Sequence, residues 1–157
     1  GIVCVELCAF GWVGPWAGRR GYDSIIQTTT GIAWEGGKAY GVDGPKPMPC
    51  QTLDHATGYL AAFGAMTALR RRAEEGGSWR VRVSLAQTRN WLWRMGRNDI
   101  IDRPIPDEAD VGDYSDRMES PFGRLKFIAP AMRLSATPAV WTRPPVPLGT
   151  HPAIWPS

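Results

Sequence analysis

Pro49-Cys-Gln-Thr-Leu-Asp54-His-Ala-Thr-Gly58-Tyr-Leu-Ala-Ala-Phe-Gly64-Ala-Met-Thr-Ala-Leu69-Arg-Arg-Arg72 reads as a Pro- and Gly-rich turn delivering a single carboxylate to the start of a long helix. Leu60, Phe63, Met66, Thr67 and Leu69 recur at helical spacing and predict one broad buried face. Gly58, Ala61, Ala62, Gly64, Ala65 and Ala68 keep much of the remainder small, so another backbone can approach closely. The helix is expected from about Asp54 to Glu75, with Gly76-Gly77 as its C-terminal stop. Asp54 then lies where the helix dipole favours negative charge, the ionised state that a nucleophile needs.

Outward from this helix, Trp79 to Leu85 is the clearest strand: Val81, Val83 and Leu85 point one way, Arg80, Arg82 and Ser84 the other. Ser84-Leu-Ala-Gln87 is a capping-box pattern that opens a further helix to about Gly96. Upstream, Ile2 to Leu7 alternates as a strand, with Val3, Val5 and Leu7 on one face. Phe10 to Gly18 is a glycine-rich loop that fits neither GxGxxG nor a P-loop. Ser24 to Ala33 is expected as a short helix with Asp23 as its N-cap, and Gly36 to Pro49, with four Gly and three Pro, as a loop. Strand, helix, strand, helix predicts an α/β fold with a parallel sheet.

Beyond Asn98 the character changes. Asp99, Asp102, Asp107, Glu108, Asp110, Asp113, Asp116 and Glu119 make the stretch to Glu119 acidic and poor in apolar residues, which reads as an exposed linker. Its acids do not follow the EF-hand ligand order. Phe122 to Ile128 reads as a strand, and seven Pro between Pro130 and Pro156 predict an extended surface path. The division expected is a core segment 1–97, an acidic linker 98–121 and a C-terminal segment 122–157 returning to the core.

The 157 residues suffice for one domain with a real core. Hydrophobic residues at 43% and charged residues at 21% describe a soluble chain. No apolar run approaches the roughly 20 residues of a membrane span. The N-terminus has no basic leader region; it lacks Met and starts as if inside a strand, so a fragment, or a chain whose beginning lies elsewhere, is expected. Cys4, Cys8 and Cys50 make no disulfide framework and, with only His55 and His151, no metal site; free thiols fit a reducing cytoplasm. Net charge is +3, from fifteen Arg, three Lys and fifteen acids. No basic stripe with interleaved aromatics points to nucleic acid. Arg70 to Arg72 close the long helix where its dipole favours cations, with phosphate or nucleic-acid binding as the other reading. The eight Trp are many for this length, and some are expected to cover a surface that needs a partner.

By pattern alone Asp54 is either an ordinary N-cap or a chemically active acid. Two His without a nucleophile elbow give no Ser-His-Asp site, and no second acid near Asp54 makes a carboxylate pair.

Gly14-Pro-Trp-Ala-Gly-Arg-Arg-Gly21-Tyr22-Asp23, then Gln27, Gly31 and Leu53-Asp54-His-Ala-Thr-Gly58 resemble the family III CoA-transferases, the CaiB/BaiF family. The small-residue helix, Gly76-Gly77, the strand Arg80 to Leu85 and Leu148-Gly-Thr-His151-Pro continue the resemblance. It covers about residues 5–97 continuously and 122–157 more loosely, and implies a partial Rossmann-like parallel sheet with helices.

What the resemblance implies for chemistry is specific. Asp54 is the nucleophile that attacks an acyl-CoA and becomes an aspartyl-CoA thioester, from which a carboxylic acid takes CoA. Tyr22, Gln27 and Gly58 line the substrate site, with the Thr57 and Gly58 amides as oxyanion donors, and Arg20 stands where the family has a CoA-contacting Lys. Coenzyme A is a substrate, with no permanently bound cofactor or metal, and acyl-CoA and a carboxylic acid are the small-molecule partners. An interlocked homodimer or a missing N-terminal half supplies the rest of the pocket. No nucleic acid or membrane partner is implied, and the location is cytoplasmic.

Racemases of the same superfamily carry His where this chain has Tyr22. A phenol with a pKa of roughly 10 suits positioning better than proton transfer at neutral pH. His55 points about 100° away from Asp54 on a helix and is a poor substitute. A 2-methylacyl-CoA racemase or epimerase, or a non-catalytic CoA-binding or assembly fragment, are the other readings; the 157 residues alone are then inactive.

Overall fold

The computed structural model describes residues 1–97 and 106–155. The chain divides into two compact units, Gly1–Arg103 and Pro104–Ser157. Residues 98–105 of the acidic stretch, with Asp99 and Asp102, lie outside the described residues.

In the first unit the order is β1 (Val3–Cys8), α1 (Asp23–Thr29), α2 (Ile32–Ala39), α3 (Thr52–Glu75), β2 (Trp79–Ser84) and α4 (Leu85–Arg94). β1 and β2 pair in parallel, from Val3 opposite Trp79 to Cys8 opposite Ser84. A parallel pair needs a long crossover, and the helices between the strands provide it, giving the expected α/β arrangement. Ser84 caps α4 by accepting from the Gln87 amide at 3.3 Å, as its spacing predicts. The core gathers Ala9, Ile26, Ile32, Leu53 and Leu85, with Phe10, Ala86 and Leu92 against it. It sits where β1 ends and α4 begins, beside the start of α3.

The packing of α3 corrects the predicted face. Leu53, Thr57 and Ala68 are its buried residues, whereas Phe63 and Met66 are 66% and 59% exposed. Gly64 faces β2, which approaches too closely for a large side chain there. A Cβ on Gly64 would lie 2.5 Å from Val81 Cγ1, a branched side chain that is stiff about χ1. Gly64→Val is therefore expected to destabilise the fold by about 1–3 kcal/mol, read by thermal or urea denaturation. An unchanged midpoint would show that the helix and strand are not in close contact. On β1 the shared face of Val3, Val5 and Leu7 is not a core face, since Val5 and Leu7 are exposed.

Two further expectations change in α1 and α2. The single helix predicted for Ser24 to Ala33 is two, broken at Gly31, whose φ of 86° is left-handed and which a side chain would strain. Asp23 is not the N-cap of α1; Tyr22 occupies that position and Asp23 is the first helical residue. The loop predicted from Gly36 begins later, since α2 continues to Ala39. The chain then folds back on α2, with Lys46 N donating to Ala33 O at 2.7 Å. A side chain on Gly36 would collide with the Lys46 carbonyl.

The three arginines ending α3 have partners within the unit. Arg70 pairs with Glu74 one turn on at 2.6 Å. Arg71 lies over the Trp79 ring, and Arg72 Nη1 donates to Gly1 O at 3.4 Å.

In the second unit, β3 (Ser115–Ser120) and β4 (Gly123–Ile128) form an antiparallel hairpin. The strand predicted at Phe122 to Ile128 is thus present, but the stretch read as linker supplies its partner. Apolar alternation gives no sign of β3, whose residues are mostly polar or charged; cross-strand pairing supplies its order. Ser120 closes the turn, its Oγ donating to Gly123 O at 2.7 Å. Lys126 Nζ donates to Glu108 at 2.6 Å, and this holds the Glu108 carboxyl below its ordinary range. From Ala129 to Trp155 the described chain has neither helix nor strand.

Candidate active site at the start of the long helix

The first turn of α3 is held by a residue thirty positions upstream. With Gln51 as N-cap, Thr52, Leu53 and Asp54 are the first three helical positions. Their amides have no carbonyl one turn back to bond. Gln51 provides no side-chain cap; Asp23 does so from α1. One of its carboxylate oxygens accepts from Leu53 N at 2.7 Å and from Asp54 N at 3.0 Å.

Asp23 is only 1% exposed. A buried carboxylate is costly unless donors surround it, and here three do: the two amides, and Gln27 Nε2 at the other oxygen. Asp23 and Gln27 are four residues apart on α1 and so share a face. Gln27 Nε2 also donates to Cys50 O at 3.1 Å, while Met48 N donates to Gln27 Oε1 at 2.8 Å. One turn of α1 thereby grips the backbone at Met48, Cys50, Leu53 and Asp54, the whole approach to α3.

Asp54 itself is exposed. Because Asp23 caps the helix, the Asp54 carboxylate has no capping duty. Among the described residues, none donates a hydrogen bond to it. Gly58 lies one turn further along the same helix face, with open space where a side chain would be. Tyr22, joined directly to Asp23, is 78% exposed, and Arg20 is exposed as well.

Two expectations do not survive this geometry. Gln27 does not line an open site; it is 2% exposed, and both protons of its amide nitrogen are committed to the chain. Nor are the Thr57 and Gly58 amides free oxyanion donors, because both lie inside α3, where amides are bonded to the carbonyls four residues back. The Thr57 hydroxyl is likewise engaged, 2.6 Å from that of Thr88. The contact that residue order does not show is that of Asp23, which caps α3 instead of α1. The signal available was its charge, carried at helical spacing from Gln27.

Residues 1–102 match the family described as CoA-transferase family III. The chain belongs to that family. An acetyl-coenzyme A transferase, nodX of Hypoxylon pulicicidum, is 37% identical over 94 residues, which are 60% of this chain and 16% of that protein. A probable CoA-transferase of Mycobacterium tuberculosis, Rv1866, is 33% identical over 91 residues, 55% of this chain and 12% of its own length. This CoA-transferase family III chain thus matches only a minor part of the length of these relatives. A crystal structure of the hypothetical protein Rv3272 from Mycobacterium tuberculosis is 26% identical with a TM-score of 0.50, over 58% of this chain and 25% of that one. Among the described residues, no helix is long and apolar enough to cross a membrane.

Proposed function

We propose that this family III chain carries the nucleophile-bearing part of a CoA-transferase that moves CoA from an acyl-CoA to a carboxylic acid, with Asp54 as nucleophile. The observation that carries the proposal is the division of labour at α3: a buried acid caps the helix, and an exposed one, Asp54, is left free for chemistry.

In the first half-reaction an Asp54 oxygen attacks the thioester carbon, and the C–S bond breaks to give a mixed anhydride and CoA thiolate. The thiolate attacks the Asp54 carbonyl carbon, expels the donor carboxylate and leaves an aspartyl-CoA thioester. The acceptor carboxylate then attacks that thioester, releasing thiolate and forming a second anhydride. Attack of the thiolate on the acceptor carbonyl gives the new acyl-CoA and frees Asp54. No proton need be gained or lost, which suits a site built on a carboxylate with Tyr22, not His, in the neighbouring position.

In this reading Arg20 meets a phosphate of CoA through its guanidinium fork, and Tyr22 offers a hydrogen bond to the acyl group. Gly58 leaves room beside Asp54. Gln27 contributes by holding the approach to α3, not by touching substrate. Donors for the oxyanion come from outside the interior of α3, whose amides are already bonded.

The test is trapping. Incubation of the full-length protein with acyl-CoA, followed by hydroxylamine, is expected to convert Asp54 to its hydroxamate, located by peptide mass spectrometry. Modification at another carboxylate, with Asp54 untouched, would refute the assignment.

A further inference from the structure

We propose that Asp23 is a positioning residue for Asp54: its buried carboxylate, bridging the amides of Leu53 and Asp54, fixes where the Asp54 carboxylate stands. The inference rests on the reading of Asp54 as nucleophile.

The geometry is that of a clamp more than of an ordinary cap. A local cap satisfies a helix amide from the preceding residue and moves with the helix. Asp23 instead belongs to α1 and bonds the two successive amides at the second and third positions of α3, at 2.7 and 3.0 Å. One of those amides is that of Asp54 itself. The carboxylate is in turn held by Gln27, whose other bonds run to Met48 and Cys50. Both clamp residues are essentially solvent-free, so neither can drift without losing bonds that water does not replace. The Asp54 side chain, by contrast, is exposed and unheld. Its place is therefore set through its own backbone.

A nucleophile must meet a thioester carbon at near-contact distance, and displacement by about 1 Å can cost on the order of a hundredfold in rate. Asn at position 23 keeps the size but offers one carbonyl oxygen, and turns an NH2 group toward donors that need acceptors. The Asp54 backbone then shifts or loosens while the exposed CoA-contacting groups remain.

The experiment compares Asp23→Asn with Thr88→Val in the full-length protein. Thr88→Val breaks the other buried hydrogen bond to α3, at Thr57, and serves as the control for a purely structural loss. Well below either melting temperature, Asp23→Asn is expected to lower kcat about thirtyfold or more, with KM for acyl-CoA within about threefold. Thr88→Val is expected to keep kcat within about twofold. Equal kcat in the two variants, or an effect on KM alone, would overturn the proposal. If Asp23→Asn does not fold, Asp23→Glu is read the same way, since it keeps the charge but moves it by one methylene.

Hydrogen exchange separates the clamp from the chemistry. The amides of Leu53 and Asp54 should be protected in the wild type and lose protection in whichever Asp23 variant folds, with or without turnover. Unchanged protection would overturn the clamp. If Asp54→Ala keeps its activity while exchange behaves as expected, the nucleophile assignment has failed and the clamp stands.

Discussion

Asp54→Ala is expected to lower the turnover of CoA exchange by about a thousandfold or more, because in the proposed mechanism it removes the covalent route from donor to acceptor. Exchange of label between an acyl-CoA and a free acid measures it. The fold should hardly notice. Asp54 is exposed, it does not cap α3, and Ala is the better helix former. The change in stability should remain within about 0.5 kcal/mol. CoA affinity, measured by calorimetry, should also be preserved, since Arg20 and its surroundings are untouched. A kcat within tenfold of wild type would remove Asp54 from the mechanism.

One residue earlier the balance reverses. Leu53→Ala is expected to cost about 2–5 kcal/mol, the range for truncating a fully buried leucine. Leu53 is 0% exposed and belongs to the cluster with Ala9, Ile26, Ile32 and Leu85. Domains of this size are stabilised by about 5–15 kcal/mol in total, so the variant should melt far below the wild type in a thermal or urea transition. A loss under about 1 kcal/mol would mean that this cluster is not the core. The two neighbours separate cleanly because successive helix positions point about 100° apart: one side chain faces the core, the other solvent.

Much of this arrangement was legible from residue order. The strand at Val81 and Val83, the capping Ser84 and the glycines ending α3 each rest on interactions between residues close in sequence, which pattern rules describe. Asp54 at the start of α3 was legible too, as was the family resemblance, because they depend on residue type at fixed spacing. Where pattern reading went astray, the deciding contact was distant. Phe63 and Met66 have the right period for a core face, but Val81 approaches along the Gly64 side, and the large residues face outward. The resemblance suggests Gln27 as a site residue, but its amide is spent on the backbone at Met48 and Cys50. β3 carries no apolar alternation and owes its order to β4.

Residue order alone specifies an α/β core segment with one prominent acid, Asp54, opening a long small-residue helix. Composition, period and local turn chemistry are enough for that. Which acid caps the helix and which stays exposed depends on contacts between distant segments. Asp23 and Asp54 are thirty-one positions apart, and both stand at the start of a helix, so no local rule distinguishes them. Burial does: the acid enclosed by α1 and α3 must satisfy its oxygens with amides, and the acid left in the open need not.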